Sequence, residues 1–133
     1  MLKSLFEEYK DYFRVGAAVS GWLFMTEDEK KARIAQMEEF FKNFKAPEGM
    51  PKPEFKKPDF PANLPDLDIV KQHFNLIVAE NETKMGPVYQ ADGVFNFKGA
   101  QNLINFGKAN NKDVRWHTLV WHNQSPKWIF EDV

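Results

Sequence analysis

The sequence predicts an α/β fold whose strands form a parallel sheet, and three observations lead to this prediction. Apolar strand-like segments alternate with helix-like segments along the 133 residues, an order that is typical of successive βαβ units. Residues 76–79 form a continuous apolar run, which indicates a strand buried on both faces, as in a parallel sheet. Polar clusters at residues 80–84 and 121–124 follow predicted strands, where α/β folds build their functional sites.

Composition and charge exclude several classes of function. The formal net charge is −1, so the chain lacks the basic excess that a large nucleic-acid-binding surface requires. No apolar run approaches the roughly 20 residues that a membrane span needs. The first residues are charged and amphipathic, unlike the apolar region of a signal peptide, and we therefore expect a cytoplasmic protein or the mature form of a secreted one. The absence of cysteine excludes disulfides and thiolate chemistry.

Two helices and one strand are predicted in the first half of the chain. Apolar residues at helical spacing predict a short helix over residues 2–13, and the small apolar residues 14–19 predict a strand. A second helix is expected to begin after Thr26, because Thr26 and Glu29 have the spacing of a capping box. Residues 46–65 contain six prolines and therefore predict an extended surface segment.

Two further helices and two strands are predicted in the second half. An Asp-capped helix over residues 66–74 is expected to lead into a buried strand over residues 75–81. Residues 85–97 are predicted to form a loop, and residues 98–110 a helix that ends at a pair of asparagines. The last strand begins at Val114 and is expected to continue through the aromatic segment that follows, with side chains alternating between its two faces.

The first polar cluster contains Glu80, Asn81 and Lys84, at the end of the buried strand. A carboxylate, a carboxamide and an ammonium group within five residues can all form hydrogen bonds with the hydroxyls of a ligand. A solvated charged loop is the simpler interpretation for a generic sequence. The abrupt change from apolar to polar residues favours a site here, because the end of the strand remains close to the core.

The second cluster contains His117, Trp121, His122 and Gln124. A metal site formed by His117, His122 and His73 is one interpretation. However, strand alternation would place His117 and His122 on opposite faces, and no compact ligand spacing exists. A core role is the simpler interpretation of an isolated Trp or His. Sugar binding competes with it, because indole rings stack on sugar faces while amides and imidazoles bond hydroxyls.

Both clusters lie in segments that resemble the endo-β-1,4-xylanases of glycoside hydrolase family 10. The matching segments are residues 73–84, 93–97 and 117–128, and residues 14–19 resemble the first barrel strand of the family. The last segment, His-Thr-Leu-Val-Trp-His-Asn-Gln-Ser-Pro-Lys-Trp, is highly specific. Three matches in order, at sensible spacing, make chance a poor explanation.

The resemblance implies a (β/α)8 TIM barrel, a fold of typically about 250 residues. Residues 1–133 would then be the N-terminal portion of the catalytic domain, and they would contribute strands 1–3 with their helices to a barrel that is incomplete as given. The missing C-terminal part of the barrel is an expected partner. A parallel sheet with two open edges predicts association or poor solubility for the isolated chain.

The resemblance also implies binding roles on xylan or xylo-oligosaccharides for six residues. They are Glu80, Asn81, Lys84, His117, Trp121 and Gln124. The first three match residues that bind the sugar on the non-reducing side of the cleavage point, and the last three match residues beside the scissile bond. Retaining hydrolysis in the family uses two glutamates, acid/base and nucleophile, without metal or cofactor. Both are expected beyond Val133, so no catalytic residue is assigned in this chain.

Four departures from the family pattern stand out. Trp116 replaces a glycine, and its indole is expected to enter the packing between the strand and the helices. Thr83 replaces a usual methionine, and Ser20 lies where asparagine is common. Residues 22–63 are interpreted as an insertion after the first strand, either a surface decoration, which is the preferred interpretation, or a segment that shapes one end of the cleft.

Two alternatives to the xylanase interpretation remain open. The first is a non-catalytic truncated or split fragment. The second is part of a barrel hydrolase that acts on another β-1,4-glycan, which the same binding residues would accept.

Overall fold

The computed structural model describes residues 3–58 and 65–131. Helices and strands alternate along these ranges. In chain order they are α1 (Leu5–Tyr9), β1 (Gly16–Val19), α2 (Glu27–Asn43), α3 (Pro65–His73), β2 (Leu76–Ala79), α4 (Met85–Val88), β3 (Tyr89–Ala91), β4 (Val94–Phe95), α5 (Lys98–Ala109) and β5 (Asp113–Arg115), with 3-10 helices at Gly21–Phe24 and Lys127–Phe130.

Three of the strands form a parallel sheet in the order β1-β2-β5. The register pairs Val19 with Ala79, and Val78 with Arg115, so the three strands end at nearly the same level. Each crossover between neighbouring strands contains helices, as parallel pairing requires. The α/β class and the parallel sheet that the sequence predicted are therefore confirmed.

The core of the sheet lies around the central strand β2. Ile77 has no exposed surface, and Ala79 in the same strand is 3% exposed. Val70 of α3 and Leu103 of α5 pack in the same cluster, together with Val19 of β1. Full burial of one such side chain contributes roughly 1.5–3 kcal/mol, so this cluster supplies much of the driving force that holds the helices on the sheet.

Residues 25–63 form a separate compact unit that contains α2. Its first turn has the predicted capping box: the Thr26 hydroxyl accepts from the Glu29 amide at 3.2 Å, and the Glu29 carboxylate accepts from the Thr26 amide at 2.9 Å. Residues 44–58 form no helix or strand, in agreement with their proline content. Residues 59–64 of the predicted extended segment lie outside the described residues. The interpretation of residues 22–63 as an insertion stays a prediction.

Two helix predictions were wrong at their ends. The predicted helix over residues 2–13 is only α1, because Leu5, Tyr9 and Phe13 keep 42–57% of their surface exposed and give a short helix little packing to extend it. The helix predicted to have an aspartate cap begins at Pro65, so Asp66 lies inside its first turn. There its carboxylate complements the positive end of the helix dipole rather than capping it.

The segment 85–97 is not the loop that the sequence predicted. It contains α4 and then a short antiparallel hairpin of β3 and β4. Gly93 has a φ of +70° in the turn, a conformation that glycine adopts without steric cost. The rings of Tyr89 and Phe95, which are paired across the hairpin, stack at 4.6 Å. Alternation over so few residues was too short a pattern to predict strands.

The prediction that the last strand continues into the aromatic segment was also wrong. β5 ends at Arg115. Its neighbour β2 ends one register position later, at Ala79, so the backbone beyond Trp116 has no strand partner on that side. The backbone of His117 instead bonds the side chain of Thr83. The alternation that separated His117 from His122 therefore does not apply.

No helix within the described residues combines the length and the apolar composition that crossing a bilayer requires.

Lys112 links the end of α3 to the start of β5. It is 9% exposed, and its ammonium group donates to the carbonyls of Lys71 at 2.8 Å and Phe74 at 2.6 Å. The Nζ atom also lies 5.4 Å from the centre of the Phe6 ring. Burial lowers the pKa of Lys112, because removal from water disfavours the charged ammonium. The carbonyls at the end of α3 thus obtain donors that the helix itself cannot provide.

Lys112→Met is expected to lower the free energy of unfolding by about 1–3 kcal/mol, because two carbonyls lose their donor while the apolar stem is kept. Chemical denaturation followed by circular dichroism measures the loss. Lys108→Met, at an exposed lysine in the last turn of α5, is the matched control and should change the value by less than about 1 kcal/mol. Equal effects of the two substitutions would contradict the linking role.

Candidate functional site

Parallel pairing places the segments that follow β2 and β5 at the same edge of the sheet. The first segment runs over residues 80–84 and the second over residues 116–125. Two contacts connect them, Thr83 with His117 and Lys84 with Trp121. Gly86 of α4, just after the first segment, adds a third contact with Gln124. The two clusters that the sequence singled out therefore form one continuous surface.

Lys84 lies at the centre of this surface. Its ammonium group donates to the Asn81 side-chain oxygen at 3.0 Å and lies 5.1 Å from the centre of the Trp121 ring. A cation over an indole face is attracted by the ring quadrupole, so Lys84 fixes the relative position of the carboxamide and the indole. Trp121 remains 36% exposed, and Asn81 is exposed as well. The result is an accessible aromatic ring beside two hydrogen-bonding groups.

His117 is held through its backbone rather than its ring. The Thr83 hydroxyl donates to the His117 carbonyl at 2.5 Å and accepts from its amide at 3.4 Å. Thr83 is 1% exposed, whereas His117 is an exposed residue. The imidazole is thus presented at the surface by an anchored main chain.

Gln124 is also fixed by its backbone. Its φ of +58° lies in the left-handed region, and its carbonyl accepts from the Gly86 amide at 3.0 Å. A Cβ atom at Gly86 would lie 2.9 Å from that carbonyl oxygen, closer than real Cβ contacts allow. Glycine is therefore required at this position for the close approach. The Gln124 residue itself is exposed.

Glu80 begins the first segment and is anchored to the sheet by its amide, which donates to the Val19 carbonyl at 3.0 Å. Glu80 is exposed, next to Asn81. All six sequence-predicted residues therefore follow β2 or β5, and direct side-chain contact joins Asn81, Lys84 and Trp121. Their roles in binding stay predictions.

Glu82 is a residue that the sequence analysis did not single out. Its carboxylate accepts from the amide of Gly21 at 3.2 Å and from the amide of Asn81 at 3.3 Å. A Cβ atom at Gly99 would lie 2.9 Å from the side chain of Glu82, so the glycine makes room for it. Glu82 thereby joins the chain after β1 to the chain after β2. Gly21 and Gly99 are the sequence features that could have indicated this role, but they come close to Glu82 only in the folded chain.

The other two tryptophans of this region have packing roles. Trp116 meets Phe97 edge-on with ring centres 6.5 Å apart at the start of α5, and it stays 36% exposed, so it enters the predicted packing only in part. Trp128 meets Tyr89 edge-on at 4.7 Å, and its indole N–H is buried without a hydrogen-bond partner. A buried N–H cannot reach a ligand, so Trp128 supports the hairpin.

No group of three or more potential metal ligands occurs among residues 3–58 and 65–131. His73, the proposed third ligand, uses its Nδ1 atom to accept from the Leu5 amide at 3.3 Å. The Nε2 atom of His122 lies 3.1 Å from the Asn123 side-chain nitrogen. The rings of His73 and His122 therefore have neighbours other than a shared metal site.

Comparison with known proteins identifies the family. The model of glycosyl hydrolase family 10 matches residues 53–133. Over 129 residues, which are 97% of this chain, the sequence is 32% identical to endo-1,4-beta-xylanase A of Caldicellulosiruptor sp. (strain Rt8B.4). The chain spans only 14% of that relative.

Solved structures agree with this similarity. Xylanase B from Clostridium stercorarium F9 superimposes with a TM-score of 0.62 at 28% identity, over 97% of this chain and 27% of that one. A mutant protein in complex with xylotriose superimposes with a TM-score of 0.63 at 27% identity, over 99% of this chain and 29% of the other. The three parallel strands and their helices are consistent with part of a TIM barrel. On the family match and the relative that covers nearly the whole chain, this protein belongs to glycosyl hydrolase family 10.

Proposed function

We propose that this chain forms one wall of the substrate cleft of an endo-β-1,4-xylanase and binds xylan or xylo-oligosaccharides there. The observation that carries the proposal is the position of Lys84 between Asn81 and Trp121. It unites an exposed indole with hydrogen-bonding groups from two strand ends, which is the combination that a sugar ring requires. The relatives named above are xylanases, and one of the similar structures contains xylotriose.

In this proposal the two strand ends serve different sugar units. Glu80, Asn81 and Lys84 bind the unit on the non-reducing side of the cleavage point, where carboxylate and carbonyl oxygens accept from hydroxyls and the ammonium donates. An ammonium group has three N–H donors, so Lys84 keeps two beyond the bond to Asn81. His117, Trp121 and Gln124 line the units next to the scissile bond. There the indole face packs against a ring and the imidazole and carboxamide bond its hydroxyls.

The reaction that we propose for the complete enzyme is retaining hydrolysis of internal β-1,4-xylosidic bonds. One carboxylic acid protonates the leaving oxygen while a carboxylate attacks the anomeric carbon, and water then cleaves the glycosyl-enzyme with the first group as base. These two carboxyl groups must stand roughly 5–5.5 Å apart across the bond. We assign both to other strands of the barrel, outside this chain.

The carboxylates at the described site support this assignment. Glu82 already accepts from the Gly21 and Asn81 amides, so its oxygens hold the main chain in place rather than facing a sugar. Glu80 is an exposed residue immediately beside Asn81 and fits a binding role. The function of this chain is therefore to position the substrate, and no metal or cofactor takes part in the proposed chemistry.

We expect the 133-residue chain incubated with xylan to release no reducing sugar above a protein-free blank, because it lacks the catalytic pair. A family 10 xylanase with both glutamates, assayed at equal concentration, is the positive control. Reducing-sugar release that rises with the concentration of the chain would contradict the assignment of both catalytic carboxyl groups to other strands.

Trp121→Ala is expected to weaken xylohexaose binding by roughly threefold to tenfold, because it removes the stacking face and the cation–π contact with Lys84. Calorimetric titration of the chain measures the affinity. Trp116→Ala is the matched control: this indole has the same 36% exposure but lies against Phe97, so the affinity should stay within about twofold.

Three results of this titration would decide against the proposal. Equal affinities of the Trp121 and Trp116 variants would assign Trp121 to packing alone. Tighter binding of cellohexaose than of xylohexaose by the parent chain would favour another β-1,4-glycan as the substrate, and no binding of either sugar would favour a non-catalytic fragment without a substrate wall.

A further inference from the structure

We propose that Thr83 is a positioning residue that sets the conformation of the sugar-binding wall by holding the backbone of His117. This inference rests on the proposed function, since it explains how the wall acquires its shape. Thr83 touches no sugar in the proposal: it is 1% exposed, and it acts through His117.

A single hydroxyl group satisfies both polar groups of the His117 backbone. The Thr83 Oγ1 atom donates to the carbonyl at 2.5 Å and accepts from the amide at 3.4 Å. His117 lies beyond the end of β5, so no strand ladder provides these bonds. Loss of the hydroxyl would leave a carbonyl and an amide of the main chain without the partners seen here.

The position of Thr83 in the chain couples the two halves of the wall. It lies between Asn81 and Lys84, so the segment that carries three proposed binding groups also fixes the backbone of a fourth. A second tie is made just after this segment, where the Gly86 amide in α4 donates to the Gln124 carbonyl at 3.0 Å. Trp121 lies in the sequence between the two tied residues and under the Lys84 ammonium group.

Thr83 is also a departure from the family pattern, because the resemblance to the family predicts a methionine at this position. A methionine sulfur accepts hydrogen bonds weakly and donates none, so it could not make the pair of bonds that Thr83 makes. The hydroxyl tie is therefore a property of this chain and not one that the family pattern implies.

Three variants separate the hydroxyl from the volume of the side chain. Thr83→Val replaces the hydroxyl with a methyl group at nearly constant volume. Thr83→Ala removes both the hydroxyl and the methyl group, and Thr83→Ser keeps the hydroxyl but removes the methyl group. We expect the first two to weaken xylohexaose binding by about threefold to tenfold, the effect of one or two lost hydrogen bonds, and the serine variant to stay within about twofold of the parent.

Hydrogen exchange of the His117 amide, followed by NMR, reads the positioning directly. The amide should exchange at least about tenfold faster in the valine or alanine variant than in the parent chain, with the serine variant close to the parent. The alanine variant provides the same comparison if the valine variant does not fold.

The outcomes distinguish this inference from the proposed function. A valine variant with a lower melting temperature but with unchanged affinity and unchanged His117 exchange would make Thr83 merely structural and overturn the inference. A parent chain that binds no xylohexaose would refute the proposed function and, with it, the role of Thr83 in sugar binding. His117 exchange would then still decide whether the hydroxyl fixes the backbone.

Discussion

The requirement that β2 be paired on both sides organises the rest of the structure. As the central strand it must give hydrogen bonds to β1 and β5, and its parallel register with both brings their carboxyl ends to one edge. Val70 of α3 and Leu103 of α5 pack in one cluster with Ile77, which has no exposed surface. The polar residues that follow β2 are consequently held beside those that follow β5, although more than thirty residues separate them in the chain.

The sequence predicted what depends on neighbouring residues or on one strong pattern. The capping box of Thr26 and Glu29 is local chemistry, and the apolar run at residues 76–79, bounded by polar residues, is typical of a buried strand. The end of β5 was mispredicted because it depends on where β2 ends and on the hydroxyl of Thr83, neither of which is visible in the pattern of β5 itself. The short hairpin after α4 was missed because its strands of three and two residues give too short a pattern.

The candidate site shows a similar division. Its residues could be named from two sequence segments, and the structure places both segments at one edge of the sheet. The contact of Lys84 with Trp121 could not be predicted, because it depends on the distance between two loops rather than on either sequence. Glu82 was missed although it neighbours predicted residues, since its partners Gly21 and Gly99 come from distant parts of the chain.

The position of Glu82 limits how these sequences can diverge. A side chain at Gly99 would collide with the base of the Glu82 side chain, and one at Gly21 would displace the Glu82 carboxylate from the Gly21 amide. A shorter residue at 82 would leave the Gly21 and Asn81 amides without their acceptor. Each single change is thus unfavourable until another has occurred. The three positions should therefore be inherited as a set, and a homologue that has lost one glycine should also carry a smaller residue in place of the glutamate.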